Sequence, residues 1–348
     1  MTVVAMGTSA GLSARKRSLV VVGLLVIAAL VALLVAGMTG SVSLSLPEIQ
    51  TAASTLLAGG DASLASTVLG LRLARAASAF VTGAMLALAG VMMQALLRNP
   101  LADPYVLGVS GGAAVGALAA MLFFSAAWMI DAAAFAGALM VALLLFVLVH
   151  RDLRGGSGRG DRSLLLLSGV VVASGCGALV TLMLSIAPDS RLRGMVFWLI
   201  GDVSGSTLRG LPWLILAGAL LLSLRFARAI NIMALHADAA LTLGVPVARL
   251  RRGLFFCAAL LTAAAVSNAG SIGFVGLIVP HACRFALGPD HRLLLPASVL
   301  VGGTFLLLAD TLARTVVAPQ QLPVGVITAL IGVPLFLLQL HHLRRSTG

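Results

Sequence analysis

An all-α polytopic membrane protein of about ten transmembrane helices is the fold class predicted here, on three observations. Of 348 residues, 60% are hydrophobic and only 10% charged, whereas a soluble domain carries roughly 25% charged residues. The apolar residues fall in runs long enough to cross a bilayer, which takes about 20 residues of helix. Basic residues gather in the short stretches between those runs, where orientation signals sit.

Taken in order, residues 1–17 form a cytoplasmic tail ending in Arg15, Lys16 and Arg17. The apolar run from Ser18 to Met38 follows. It exceeds the ~7–15-residue apolar region of a cleaved secretory signal and is expected to stay as the first span. Further spans are expected at 76–97, 104–125, 127–149, 163–187, 211–230, 253–269, 271–287, 293–313 and 322–340. The transmembrane domain thus covers 18–340, and 341–348 form a cytoplasmic C-terminal tail. The least distinct division is between 253–269 and 271–287, marked only by "SNAGS". Pro280, Pro296, Pro323 and Pro334 interrupt or bound the late segments. Such breaks persist in a membrane where neighbouring helices or a water-lined cavity satisfy the freed backbone groups, so a packed body is implied. Closely spaced glycines in "GAMLALAG", "GVSGGAAVGALAA" and "LVGGTF" suit close helix approach and need no chemistry to explain them.

An internal N-terminus and ten spans leave Arg72, Arg75, Arg191, Arg193, Arg209 and Arg314 outside, and the other 17 of the 23 basic residues inside. That bias obeys the positive-inside rule and puts both termini in the cytoplasm of a bacterial plasma (inner) membrane. "QALLRNPLADPYVLG", residues 94–108, then becomes an inner-face turn. Pro100 and Pro104 end any helix near Leu97 and Asp103, because each lacks an amide donor and disfavours helix in the residue before it.

Several functions are disfavoured. The net charge of +12 resides in loops, with no basic face interleaved by aromatics, so nucleic acid is not an expected partner. Cys176, Cys257 and Cys283 lack CxxC spacing and suit small buried hydrophobes, and no metal or cofactor is expected. HExxH is absent, which leaves an intramembrane metalloprotease without its zinc ligands, and no catalytic residue is assigned. An ion-coupled carrier should carry intramembrane carboxylates. Only Asp310 lies well inside a span, and its spacing to Arg314 is that of a local ion pair on one helix turn. The sole lysine is Lys16, so a phosphate-binding loop of the G-x-x-x-x-G-K-[ST] kind cannot form. If transport is ATP-driven, hydrolysis belongs to a separate subunit. An inner surface must then couple to it, and "ALHADAALTLG" suits a short helix ended by Gly244 with Pro246 just beyond.

Several stretches together resemble the FecCD-type permeases, the membrane subunits of type II ABC importers for iron–siderophores, haem and vitamin B12. The best-marked is "LRLARAASAFVTGAMLALAGVMMQALLRNPLADPYVLGVSGGAAVGA". In order after it come "MVFWLIGDVSGST", "ALHADAALTLGV", "GSIGFVGLIVPHACR", "DHRLLLPAS", "LLLADTLAR" and "LPVGVITALIGVPLF". The resemblance covers roughly residues 70–340. It implies a ten-helix subunit and a second copy of the permease, or a close paralogue, beside it. Two ABC ATPase subunits below and a periplasmic or lipid-anchored substrate-binding protein above are also implied.

The resemblance further implies roles for single residues. Arg72, Arg75 and Arg314 match arginines that hold acidic residues of the binding protein, and a planar guanidinium fork suits carboxylates. Asp238, Ala239, Ala240 and Gly244 match the ATPase-coupling loop, with aspartate where the general E-A-A-x-x-x-G loop has glutamate. Asn99, Pro100, Asp103 and Pro104 match an inner-face landmark read as a rigid hinge. Pro280, His281 and Arg284 match another, in which His281 is expected to be a structural hydrogen-bond donor. Arg162 and Ser163 mark the candidate inner gate, in a loop that departs from its relatives in being rich in glycine and arginine. The expected cargo is an iron–siderophore complex, with haem next, then cobalamin; an ion-coupled secondary transporter is the alternative from another class.

Overall fold

The computed structural model describes residues 2–40, 42–59, 63–124, 126–150, 159–205, 210–235 and 237–347; for 2–15, 159–164, 235, 237–239, 340 and 342–347 it describes the backbone alone. Regular structure among the described residues is helical throughout. The helices are α1 (Thr2–Met38), α2 (Leu46–Ala58), α3 (Leu64–Leu97), α4 (Val109–Phe123), α5 (Ala127–Val149), α6 (Arg159–Ile186) and α7 (Asp189–Ile200). They continue as α8 (Gly210–Leu235), α9 (Ala237–Thr242), α10 (Val247–Ala269), α11 (Val275–Leu287), α12 (His291–Thr315) and α13 (Val324–Thr347).

The ten expected spans correspond to α1, α3, α4, α5, α6, α8, α10, α11, α12 and α13. Seven are long and apolar enough to cross a membrane, and α4, α11 and the stretch Val324–Gln339 of α13 are shorter apolar helices. α9 is the expected short helix before Gly244. α2 and α7 are additional. Ser45 starts α2 with a capping box, its hydroxyl accepting from the Glu48 amide while the Glu48 carboxylate accepts from the Ser45 amide, which satisfies two free donors of the first turn.

Two boundaries differ from the sequence expectation. α3 begins at Leu64 rather than at 76, because Arg72 and Arg75 are buried inside it and their charge hid its first turns. The break after α10 falls at 270–274, beyond most of "SNAGS". Asn268 is still helical, its side-chain amide donating to the hydroxyls of Ser78 and Thr82 of α3, each at 2.8 Å.

α3 is the axis of the bundle. It is buried along nearly its whole length and packs against α12, α10, α11, α8 and α1. The glycines of "GAMLALAG" make this possible. A Cβ on Gly83 would lie 2.2 Å from the Gly302 carbonyl oxygen, and one on Gly90 would lie 1.9 Å from that of Gly276. The second contact has a cause within α11. Pro280 has no amide donor, so the Gly276 carbonyl one turn earlier lacks its helical partner. It turns to the Gly90 backbone, where only a Cα–H fits against it.

Candidate functional site

The structure brings the predicted residues together at two ends of the bundle. At the end where α1 finishes, Arg72 and Arg75 of α3 meet Asp310 and Arg314 of α12. Asp310 is fully buried, and the three arginines are 6%, 8% and 5% exposed. Arg75 grips the carboxylate with two nitrogens: Nη2 donates to Oδ1 at 2.8 Å and Nε to Oδ2 at 3.0 Å. Its Nη1 donates to the Gln321 side chain at 2.7 Å. Arg314 Nε lies 3.2 Å from Asp310 Oδ2, the i,i+4 pair expected from the spacing, as a charge contact without hydrogen-bond geometry. A buried carboxylate in a span is expensive unless paired and hydrogen-bonded, and Arg75 supplies both.

Arg314 Nη2 donates to the Thr311 hydroxyl at 3.3 Å, and both Arg72 and Arg314 also reach the end of α1. Arg72 Nη1 donates to the carbonyls of Gly37 at 3.1 Å and Met38 at 3.3 Å, and its Nη2 donates to that of Val42. Arg314 Nη2 reaches the Ala36 carbonyl at 3.5 Å. The last carbonyls of a helix have no partner of their own and carry partial negative charge, so two cations suit them. Gly40 leaves the room, since a Cβ there would sit 2.7 Å from the Arg72 guanidinium. The sequence treats these arginines as free forks for a partner's carboxylates. In the folded chain their forks already hold internal acceptors. Arg191, unassigned from sequence, does the same for α4, donating to the carbonyls of Met121 and of Leu122, the latter at 2.6 Å.

At the opposite end, α3 stops at Leu97 and Arg98 takes a left-handed conformation with φ 47°. Asn99 then caps the turn, its side-chain oxygen accepting from the Leu101 amide at 3.0 Å. The Asp103 carboxylate accepts from the Tyr105 amide at 2.7 Å and starts a single 3-10 turn, Pro104–Leu107. Desolvation of this half-buried carboxyl pushes it up to about 6, against the lowering effect of that hydrogen bond. Pro104 packs on Gly276, where a Cβ would come within 2.7 Å of the ring. Tyr105 reaches the unwound segment between α10 and α11: its hydroxyl donates to the Ile272 carbonyl and accepts from the Ile272 amide, both at 3.0 Å. The predicted hinge is thus pinned to a break in another helix. Tyr105 is the residue sequence reasoning missed, and its only signal was being the sole tyrosine.

Pro280 and His281 are buried in α11. The His281 Nδ1 is buried with no hydrogen-bond partner among the described residues. Arg284, one turn on, lines a cavity of about 490 Å³ with Gln94, Arg98, Asn231, Asp290 and His291. Arg98 Nε donates to the Ala234 carbonyl near the end of α8 at 3.4 Å.

Of the residues expected to couple to an ATPase, Ala240 is fully buried, while Asp238 and Ala239 are described by backbone only, within α9. Gly244 has φ 75°. The Val245 amide donates to the Ala240 carbonyl at 2.9 Å and the Gly244 amide to that of Leu241 at 3.0 Å, the paired bonds of a Schellman helix end. Leu241 and Leu243 are exposed beside it. Arg162 and Ser163 lie on the first turn of α6; their side chains fall outside the described residues.

A bundle of apolar helices with ordered polar turns at both ends is the fold of a polytopic membrane protein. The description of the FecCD transport family matches residues 24–342, and the chain belongs to that family. It is 43% identical over 297 residues to the cobalamin import system permease protein BtuC of Halobacterium salinarum, covering 84% of this chain and 78% of that one. It is 42% identical over 278 residues to the hemin transport system permease protein HmuU of Yersinia pestis, covering 77% and 81%. A solved inward-facing "metal-chelate type ABC transporter" superposes with a TM-score of 0.79 at 32% identity, over 94% of this chain and 99% of that one.

Proposed function

We propose that this chain forms half of the membrane channel of an ATP-driven importer that moves a metal chelate into the cytoplasm of a bacterial cell. The family match across residues 24–342 carries this reading. ATP hydrolysis belongs to two separate subunits, and a second copy of the chain or a paralogue completes the channel. α6 suits that second contact: Gly175 and Gly177 are open, and small residues allow close helix approach in a membrane. The end bearing Arg72, Arg75 and Arg314 faces outward and receives a binding protein. Three guanidiniums against one carboxylate leave positive charge there for an acidic partner surface. Because those forks are already held internally, they act by shaping and charging the docking face. On the inner side α9, with Leu241 and Leu243 exposed and its end locked at Gly244, is the lever that an ATPase subunit moves.

The cargo expected from the sequence is a ferric siderophore. The names of two relatives support haem and cobalamin as alternatives, and a metal chelate, the word in the solved neighbour's name, includes all three. Reconstitution tests both levels. Vesicles holding the permease with its ATPase and binding protein should accumulate one labelled chelate only when ATP is present. Accumulation by the permease alone would overturn the ATP-driven reading in favour of an ion-coupled carrier, and the chelate accumulated names the cargo.

A further inference from the structure

A groove of about 490 Å³ lies between α8 and α10, at the end of the bundle where α9 sits. Leu222 and Phe226 form one wall, Gly253 and Cys257 the other, and Met92 of α3 the floor. The lining runs from Leu222 to Ile230 on α8 and from Arg249 to Cys257 on α10, about 12 Å of each helix at a rise of about 1.5 Å per residue. Half the hydrocarbon core of a bilayer is about 15 Å thick. The groove therefore covers most of the depth reached by an acyl chain from one leaflet. Leu221, Phe256 and Leu260 beside it are exposed, the surface that a spanning helix turns to lipid.

The rim has the opposite chemistry. Arg249 lines the groove and is exposed, as are Arg225 and Arg228 on α8. The Arg225 guanidinium carbon lies 5.8 Å from the ring centroid of Phe226, a wall residue. Among the described residues, no carboxylate pairs with any of these three arginines. A neutral lipid would leave the arginines without counter-charge, and a soluble anion would leave the apolar walls unfilled. An anionic phospholipid answers both. We propose that the groove holds one such lipid, its chain along Met92 and Gly253 and its phosphate against Arg249. Val245 and Pro246 close the end of the groove and directly follow Gly244, so the bound lipid braces the base of α9. That consequence rests on the coupling role proposed above; the lipid site does not.

Native mass spectrometry of the purified chain, released from detergent with phosphatidylglycerol or phosphatidylcholine added, tests the site without any ATPase. Phosphatidylglycerol should be retained at one per chain in preference to phosphatidylcholine. Arg249→Gln should weaken that retention about fivefold, the effect of one basic residue near an anionic headgroup. Gly253→Phe should abolish it, because a Cβ at Gly253 meets nothing within 4 Å and the ring enters the groove without displacing backbone. Equal retention of both lipids, retention unchanged in both variants, or displacement of the lipid by inorganic phosphate would each overturn the proposal.

Discussion

The hydroxyl of Tyr105 holds both backbone groups of Ile272, donating to its carbonyl and accepting from its amide at 3.0 Å each. Ile272 lies where the chain is neither α10 nor α11, so its amide and carbonyl have no helical partner, and in a membrane such groups must find one. Tyr105→Phe removes both bonds while keeping the ring. The expected cost is about 1–3 kcal/mol for each polar group left unsatisfied, read as a lower unfolding temperature in detergent. Unchanged unfolding would mean that water substitutes for the hydroxyl.

Asp310 pairs with Arg75 and Arg314 from a fully buried position. Asp310→Asn leaves Arg75 and Arg314 buried without a counter-charge, and breaking a buried pair in this way costs about 3–5 kcal/mol. Thermal unfolding should register that loss. Docking of a binding protein to vesicles carrying Asp310→Asn should also weaken, because the arginines that shape the face lose their anchor. Wild-type docking on a destabilised chain would separate the structural role of the cluster from its proposed recognition role.

Two glycines on spanning helices should respond oppositely to the same change. A methyl group at Gly90 meets the Gly276 carbonyl at 1.9 Å, whereas one at Gly23 of α1 meets nothing within 4 Å. Gly90→Ala should destabilise by about 1–3 kcal/mol or more, as overpacking does. Gly23→Ala should be neutral or stabilising by up to about 1 kcal/mol through helix propensity. Limited proteolysis of the two purified variants makes the comparison directly.

Asp103 gives a pH signature outside the spans. Its carboxyl is pushed up to about 6 from 3.8 by desolvation, so the folded chain binds this proton more tightly than the unfolded chain. The stability it contributes is fully present below about pH 4 and is lost as pH rises through about 6. Asp103→Asn keeps an oxygen for the Tyr105 amide and removes the titration. The unfolding temperature of the variant relative to wild type should therefore rise between those two values and stay level above them.

The ten apolar helices, the turn after α3 and the Gly244 helix end are legible in the sequence, because each rests on local rules: apolar run length, the missing proline amide and the left-handed glycine. What escaped was long-range. Arg75 and Asp310 are 235 residues apart, and composition cannot say that one neutralises the other. The family resemblance gives Arg72, Arg75 and Arg314 to a partner and leaves Arg191 without a role. In the structure Arg72, Arg191 and Arg314 satisfy carbonyls at the ends of α1 and α4, an internal demand that only the fold reveals. Tyr105 escaped for the same reason, since the break it fills lies 167 residues further on.

The capping of α1 carries a consequence for biogenesis. Its terminal carbonyls are held by Arg72, some 35 residues downstream, and by Arg314, 278 residues away from Ala36. A nascent chain leaving the ribosome therefore inserts its first segment long before the clasps that fasten it exist. That segment is a provisional tenant of the bilayer, and its lease is signed only when nearly the whole polypeptide has been synthesised.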